Sequence, residues 1–393
     1  MSWRKKHKID SDKRRRTNSG ECDFKNAFVF LYSWLNTHTH VQYSLYDNFG
    51  VDQEVDDVKD PLRVRQWLQE TRAYMEGIVR VEERYAEVER DCQNRDSMCT
   101  AWAVEGYCEP DHAHNEYMEL QCAPACRTCH SLIFEERCPW DPDTAVNAWE
   151  AGSLHTMFER VTTHPYYVDQ YKPQILSKPG GDDNDASIKD GPWVVVLENF
   201  IKDDECDRLI ELGATEGYEL SKDIGERQFD GSYGDTESDF RTSTNAWCTG
   251  VCYDDEVTQR VVRRMENLTD IPDNFAEHFQ LLRYQQGQFY GKHHDYSGHI
   301  KDRAEGVRIL TVFFYLNTVE AGGGTHFPQL DITVMPRKGR ALLWPSVLND
   351  APNEVDSRTE HEALPVEKGI KYGANAWVHM RDFKTLYDAK CTT

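Results

Sequence analysis

Tyr284-Gln-Gln-Gly287-Gln-Phe-Tyr290-Gly-Lys-His293-His-Asp295-Tyr296 is the stretch on which the fold turns. It follows a strand-like run over 278–284. In an extended chain, side chains alternate between faces, so His293 and Asp295 point one way and His294 the other. An imidazole and a carboxylate on one face are two ligands of a metal site that needs a third. His361, in a further short extended segment, offers it. The opposite positions on such a metal stay open.

Working outward, the surrounding texture is of short strands: 308–316, 332–335, 341–344 and 374–379. Two helices precede them. Asp203 to Leu212 has Cys206, Leu209 and Ile210 on one face and stops at Gly213, while 254–268 turns Val257, Val261, Val262, Met265 and Leu268 inward. Helices followed by many short strands with Gly-rich turns predict a barrel or jelly roll buttressed by helices, an α+β architecture.

Two His and one carboxylate make up the facial triad of non-haem iron(II) oxygenases. Its three vacant positions accept a bidentate 2-oxo acid and dioxygen together, and its single net positive charge favours an anionic cosubstrate. A His-x-Asp pair alone is weak in a chain with 15 histidines. His299, His326 and His379 are rival ligands without the paired spacing. Lys371, ten residues after His361, strengthens the reading, because a distal carboxylate needs a cation at fixed depth.

The 393 residues include 45 Lys and Arg against 68 Asp and Glu, a formal charge of −23. Residues 1–16 hold eight basic and two acidic residues, leaving −29 for the remainder. That acidic body disfavours nucleic acid and favours basic peptides by weak steering. Hydrophobic content of 39% excludes global disorder. The apolar stretch 24–35 is too short to span a bilayer and, behind its basic tail, reads as a signal or anchor remnant. Residues 62–88 predict one amphipathic helix started by Asp60-Pro61, and Lys-Pro-Gly-Gly with Asp182, Asp183 and Asp185 predicts a linker over 172–191. The expected organisation is a tail at 1–60, the helix at 61–91, a cysteine module at 92–129, a connecting segment and linker at 130–191, and the metal domain at 192–385.

Six of twelve cysteines lie between Cys92 and Cys129. Three bridges could staple a segment with almost no core, although six cysteines allow 15 pairings. An iron–sulfur or zinc reading of Cys122-x3-Cys126-x2-Cys129 leaves the three upstream cysteines without a role. Cys248 and Cys252 could form a local bridge, Cys206 reads as a buried thiol, and Cys22, Cys138 and Cys391 stay unassigned. Asn267-Leu-Thr is a glycosylation sequon.

Asp96, Cys99, Trp102, Gly106, Cys108, Tyr117-Met118, Cys122, Cys126 and Cys129 resemble the ShK toxin-like (ShKT) domain. That resemblance implies the pairs Cys92–Cys129, Cys99–Cys122 and Cys108–Cys126 and an accessory or spacing module. The quoted 284–296 stretch, Arg308-Ile-Leu-Thr-Val-Phe-Phe-Tyr315, Gly322-Gly-Gly-Thr325-His-Phe327-Pro328, Lys338-Gly-Arg-Ala-Leu-Leu-Trp344, and His361 with Lys371 and Trp377 resemble the prolyl 4-hydroxylases over 192–383. The resemblance implies a double-stranded β-helix, Fe(II) on His293, Asp295 and His361, and Lys371 on the 2-oxoglutarate C5 carboxylate. It puts Tyr284 and Thr325 in the cosubstrate pocket and Tyr290, Arg308 and Trp377 at the peptide. It further implies O2 and ascorbate as reactants, a proline-rich or collagen-like protein substrate, and the endoplasmic reticulum or secretory lumen. Gly324 departs from the family's Glu in the turn, and the return from Asp295 to Arg308 is short. Rival readings are the same metal centre acting on another side chain or small molecule, and a secreted ShKT binding protein with the barrel as scaffold.

Overall fold

The computed structural model describes residues 49–237 and 239–392. The basic tail, the 24–35 stretch and Cys22 lie outside the described residues. Among those described, no helix is long and apolar enough to cross a membrane. The chain divides into two compact units, one including residues 92–127 and the segment up to Glu76, the other including 77–91 and 128 onward.

In the first unit, Asp60 caps the Pro61–Tyr74 helix by accepting from the Arg63 amide at 3.0 Å. The Trp67 indole donates to the Ala125 carbonyl at 2.7 Å, with Arg63 and Arg127 over its ring. Cys99–Cys122 and Cys108–Cys126 are bonded as expected, and Cys92 and Cys129 are each in a disulfide. The single helix expected over 62–88 is a correction. It ends at Tyr74, continues as one wide turn over Met75–Val79, and gives way to a short turn at Glu83–Tyr85. Gly77, a residue that costs a helix interior about 1 kcal/mol relative to Ala, falls in that wide turn. Val79, Tyr85 and Val88 are buried in the second unit instead.

The second unit is a jelly-roll core with helices on one side. Its large sheet runs Lys189–Asp190, Gln174–Lys178, Val194–Leu197, Ala341–Pro345, Arg308–Tyr315, Lys371–His379, Gln280–Tyr284, Thr244–Trp247 and Glu219–Leu220. A smaller sheet runs Ile332–Val334, Thr325–Phe327, His361–Ala363 and Tyr290–His293. The Arg308–Tyr315 strand shows why two layers form. Leu310, Val312 and Phe314 enter the core shared with helices Asp203–Glu216 and Glu256–Thr269. Phe313 and Tyr315 enter the core between the sheets with Phe327, Val334 and Trp344. The period of two sorts each residue to a face.

The linker expected over 172–191 is folded into the large sheet, and the connecting segment before it carries helices, which is a second correction. Helices Ser153–Thr163 and Pro165–Tyr171 bury Leu154, Met157, Phe158, Val161 and Tyr171 in the helix-side core. Gln174–Lys178 and Lys189–Asp190 are strands of the large sheet. Gly180 and Gly181 adopt φ of 80° and 63°, so the Pro-Gly-Gly motif builds the turn between strands. Asp182 and Asp185 hydrogen-bond within the loop, to Asn184 at 3.0 Å and Ser187 at 2.9 Å. Cys138 pairs with Cys391 across 253 residues, and Cys248 with Cys252, while Cys206 is buried and free. Asn267 is exposed on the last turn of its helix.

Candidate active site

The smaller sheet brings the first two ligand candidates together. His293 ends the Tyr290–His293 strand and faces His361, its register partner across the antiparallel pair. Asp295 lies just beyond, with carboxylate oxygens 4.0 Å from His293 Nε2 and 3.6 Å from His361 Nε2. Ligand atoms of all three lie within 4.8 Å of one another, the one such group among the described residues.

Backbone carbonyls orient both imidazoles. His293 Nδ1 lies 2.7 Å from the Gly291 carbonyl and His361 Nδ1 3.0 Å from that of Thr359. A carbonyl only accepts, so each Nδ1 carries the proton and each Nε2 presents its lone pair to the centre. Burial pushes His293 down to about 3 and lowers His361 as well, so both are neutral at physiological pH. Burial opposes ionisation of Asp295. Nevertheless His361, His293, the Thr311 hydroxyl at 2.7 Å and Arg308 hold its carboxyl down to about 2. The donor set therefore carries one negative charge, which suits a divalent ion.

Lys371 begins the long central strand and pairs in register with Tyr284. It is 1% exposed, and the rings of Tyr284, Phe313 and Tyr315 lie 5.1, 5.2 and 5.7 Å from its Nζ. Among the described residues no carboxylate lies within ion-pair distance. Burial alone brings its ammonium down to about 7. A buried cation without a counter-charge costs several kcal/mol (~3 or more) and makes sense beside an incoming anion. Thr325 accepts from the Tyr315 hydroxyl at 2.8 Å in the same inter-sheet core. The expected cosubstrate residues are thus neighbours on the inner faces of both sheets, and the residues present fit iron and a dicarboxylate. Gly324 is tight: a Cβ there would meet Met335 Sδ and Thr333 Cγ2 at 3.0 Å, so the Glu it replaces would not fit unaltered.

His293 and Asp295 also line an open cleft of about 650 Å³, together with Tyr290, Arg308 and Trp377. Tyr290 stacks on His293 at 3.6 Å and donates to Asp223 at 3.2 Å, with the Arg241 guanidinium 4.6 Å from its ring centre. The Arg308 guanidinium lies 3.9 Å from the Trp377 ring and binds Glu277 at 2.5 Å. The Trp377 indole N–H is buried without a hydrogen-bond partner among the described residues.

Sequence reasoning missed Glu277, Arg241, Asp223 and Thr311. Thr311 had a signal, since it shares the inner face of its strand with Phe313 and Tyr315. Glu277 is buried, and although burial opposes its ionisation, Arg308 and His379 hold it at about 2. Of the rival histidines, none joins the cluster. His379 is bound to Glu277 at 2.8 Å and to the Gly306 carbonyl at 2.9 Å. His326 bonds Thr333 at 2.9 Å, and His299 sits edge-on to Tyr233 at the cleft.

Residues 279–379 match the 2OG-Fe(II) oxygenase superfamily, and residues 91–129 match the ShK domain-like family. Prolyl 4-hydroxylase subunit alpha-1 of Homo sapiens is 36% identical over 224 residues, covering 55% of this chain and 39% of that protein. Probable prolyl 4-hydroxylase 7 of Arabidopsis thaliana is 32% identical over 223 residues, covering 50% of this chain and 66% of that protein. A solved viral collagen prolyl hydroxylase of Paramecium Bursaria Chlorella virus-1 is 24% identical, with coverage of 48% and 97% and a TM-score of 0.38. The chain spans less than half the length of the human relative. It carries a 2OG-Fe(II) oxygenase domain in its C-terminal half and a ShK-like domain before it.

Proposed function

We propose that this chain is an Fe(II)- and 2-oxoglutarate-dependent dioxygenase that hydroxylates peptidyl proline to 4-hydroxyproline. The observation that carries the reading is the convergence of His293, Asp295 and His361 in the same jelly roll as Lys371, a buried cation without a carboxylate partner among the described residues. Bound Fe(II) with 2-oxoglutarate and dioxygen supplies a hydrogen-abstracting oxidant, and 2-oxoglutarate leaves as succinate and CO2.

The chain's own residues do the rest. His293 and His361 present Nε2 lone pairs, and Asp295 supplies the anionic ligand, steadied by the Thr311 hydroxyl. Lys371 pairs with the distal carboxylate of 2-oxoglutarate, whose charge restores the ammonium's own. Tyr284 and Thr325 line that pocket, which the inter-sheet core keeps dry, and a dry pocket strengthens the pairing. Tyr290, Arg308 and Trp377 hold the peptide in the cleft. Glu277 fixes the Arg308 guanidinium over Trp377, and orientation of this kind would bring a proline C4 hydrogen toward His293, Asp295 and His361, the residues that would hold the iron.

Ascorbate would keep the iron ferrous between turnovers. The disulfides favour an oxidising compartment, the endoplasmic reticulum or secretory lumen, with a proline-rich or collagen-like protein as substrate. The test is mass spectrometry of a proline-peptide panel incubated with Fe(II), 2-oxoglutarate and ascorbate. One added oxygen on proline C4, matched by succinate, is expected; succinate without any peptide product would sink the prolyl assignment.

A further inference from the structure

On the peptide-hydroxylase reading above, we propose that the cleft has a second, aromatic subsite beside the reactive position. Its occupant is a ring residue, proline or aromatic, of a proline-rich peptide that carries Lys or Arg next to that ring.

Trp247 and Tyr387 are 41% and 44% exposed, and both line the cleft. Large rings left open in a concave wall point to a ligand that covers them. The Trp247 ring centre stands 6.3 Å from that of Trp377, tilted by 49°. A polyproline II chain advances about 3.1 Å per residue, so rings at this spacing meet residues roughly two apart. With Trp377 at the reactive proline, Trp247 receives a neighbour. Proline-rich chains dock on aromatic-lined grooves of this kind because their extended shape is already formed.

The wall is held from behind. Trp247 directly precedes the Cys248–Cys252 disulfide. Tyr387 stacks with Phe383 at 6.0 Å on the Lys384–Asp388 helix, whose Lys384 binds Asp273 at 2.6 Å. The Cys138–Cys391 bridge ties down the chain beyond that helix. A pre-organised wall loses little entropy when a ligand arrives.

Charge names the neighbour of the ring. The cations lining the cleft are already matched: Lys222 with Asp235 at 3.3 Å, Arg241 with Asp223 at 3.9 Å, and Arg308 with Glu277 at 2.5 Å. Glu216 and Glu219 line the cleft exposed and without an ion pair among the described residues. Strand register sets Glu219 against Asn245, two residues before Trp247. A peptide cation beside the ring would meet these two carboxylates.

The test compares kcat/KM of the full chain on two peptides that differ only in Lys or Glu beside the second ring residue. Wild type should favour the Lys peptide about fivefold, and Glu216→Lys/Glu219→Lys should invert the order. Trp247→Ala and Tyr387→Ala should each raise KM for the Lys peptide about tenfold, with the loss in KM rather than kcat. Exchange of the ring residue for Gly should cost wild type as much and these variants little. Hydroxylation by wild type with a preference that charge reversal leaves unmoved, or with KM untouched by both ring variants, overturns the subsite alone. A wild-type protein that hydroxylates neither peptide overturns the hydroxylase reading as well.

Discussion

The ShK-like segment and the oxygenase half hold their shapes by different means. In the first, the buried cluster around the disulfides is Cys99, Ala103, Met118, Cys122 and Ala125, so the covalent bonds are themselves the core. In the second, two clusters of branched and aromatic side chains fill the spaces between sheet and sheet and between sheet and helices. The buried ionisable residues follow the same division. Glu277, Asp295, His361, Lys371 and His379 lie in the oxygenase half, and among the described residues the ShK-containing unit buries only non-ionisable polar groups such as Asn94 and Thr100. A large apolar core can carry ionisable groups in its interior, whereas a stapled module has no stability to spare for them.

The comparison is tested hardest at the metal. His361→Ala removes one of three ligands from a rigid strand pair, and iron content together with peptide hydroxylation should fall at least ~1000-fold. His114→Ala, at an exposed histidine of the ShK-like segment, should change neither by more than about twofold. One equivalent of iron retained by the His361 variant would break the assignment.

The covalent side comes next. Cys99→Ser/Cys122→Ser opens a loop with a sequence separation of 23, and loop entropy puts the cost at about 3 kcal/mol. Calorimetry should show an early transition for that unit alone. A shift of the oxygenase transition by the same amount would mean that the two halves melt as one.

Lys371→Met should weaken 2-oxoglutarate binding about 100-fold, ~2.7 kcal/mol, measured by titration calorimetry. The ligand-free variant should nevertheless melt higher than wild type, because an unmatched ammonium is gone. The sign follows from the depressed pKa, about 7 in place of 10.5. Between those values the unfolded chain binds a proton that the folded one lacks, so wild-type stability rises with pH across that window. The variant's advantage is thus greatest below pH 7 and fades toward 10.5. The same linkage makes 2-oxoglutarate binding take up protons near pH 8, visible as a buffer-dependent heat.

What the sequence could reveal follows the same physics. Alternation placed His293 and Asp295 on one face, and the longer strands from 278 onward were legible because they are short apolar runs among Gly-rich turns. His293 and Asp295 could be read together because they sit two residues apart at the end of a strand, whereas His361, on another strand, entered only as a candidate third ligand. Glu277 could not be read, since its meaning depends on Arg308 and His379, which come from distant strands. The Gln174–Lys178 strand was hidden because it is an edge-side strand next to a Pro-Gly-Gly turn, which reads as a linker until its neighbours Val194–Leu197 are known. Cys138–Cys391 was illegible for the same reason: two lone cysteines carry no local pattern.

The smallest expected effect compares one hydroxyl from each half. Thr311 donates to Asp295 at 2.7 Å, and Thr100 donates to Gln53 at 2.8 Å, both with the threonine buried. Valine keeps the shape of each and removes only the hydroxyl. In the ShK-containing unit, Thr100→Val should cost about 1 kcal/mol of stability, the usual net value of such a bond. At the metal centre the Thr311 acceptor is an ionised carboxylate, so the bond is charge-assisted and also aims a ligand. Thr311→Val should therefore weaken iron binding about tenfold. Asp295 would lose one of the contacts that keep its carboxyl at about 2, so the acid limb of hydroxylation should move to higher pH, with both changes reversed in Thr311→Ser. If Thr311→Val altered thermal stability but left iron affinity and the acid limb alone, the hydroxyl would be a packing bond like that of Thr100.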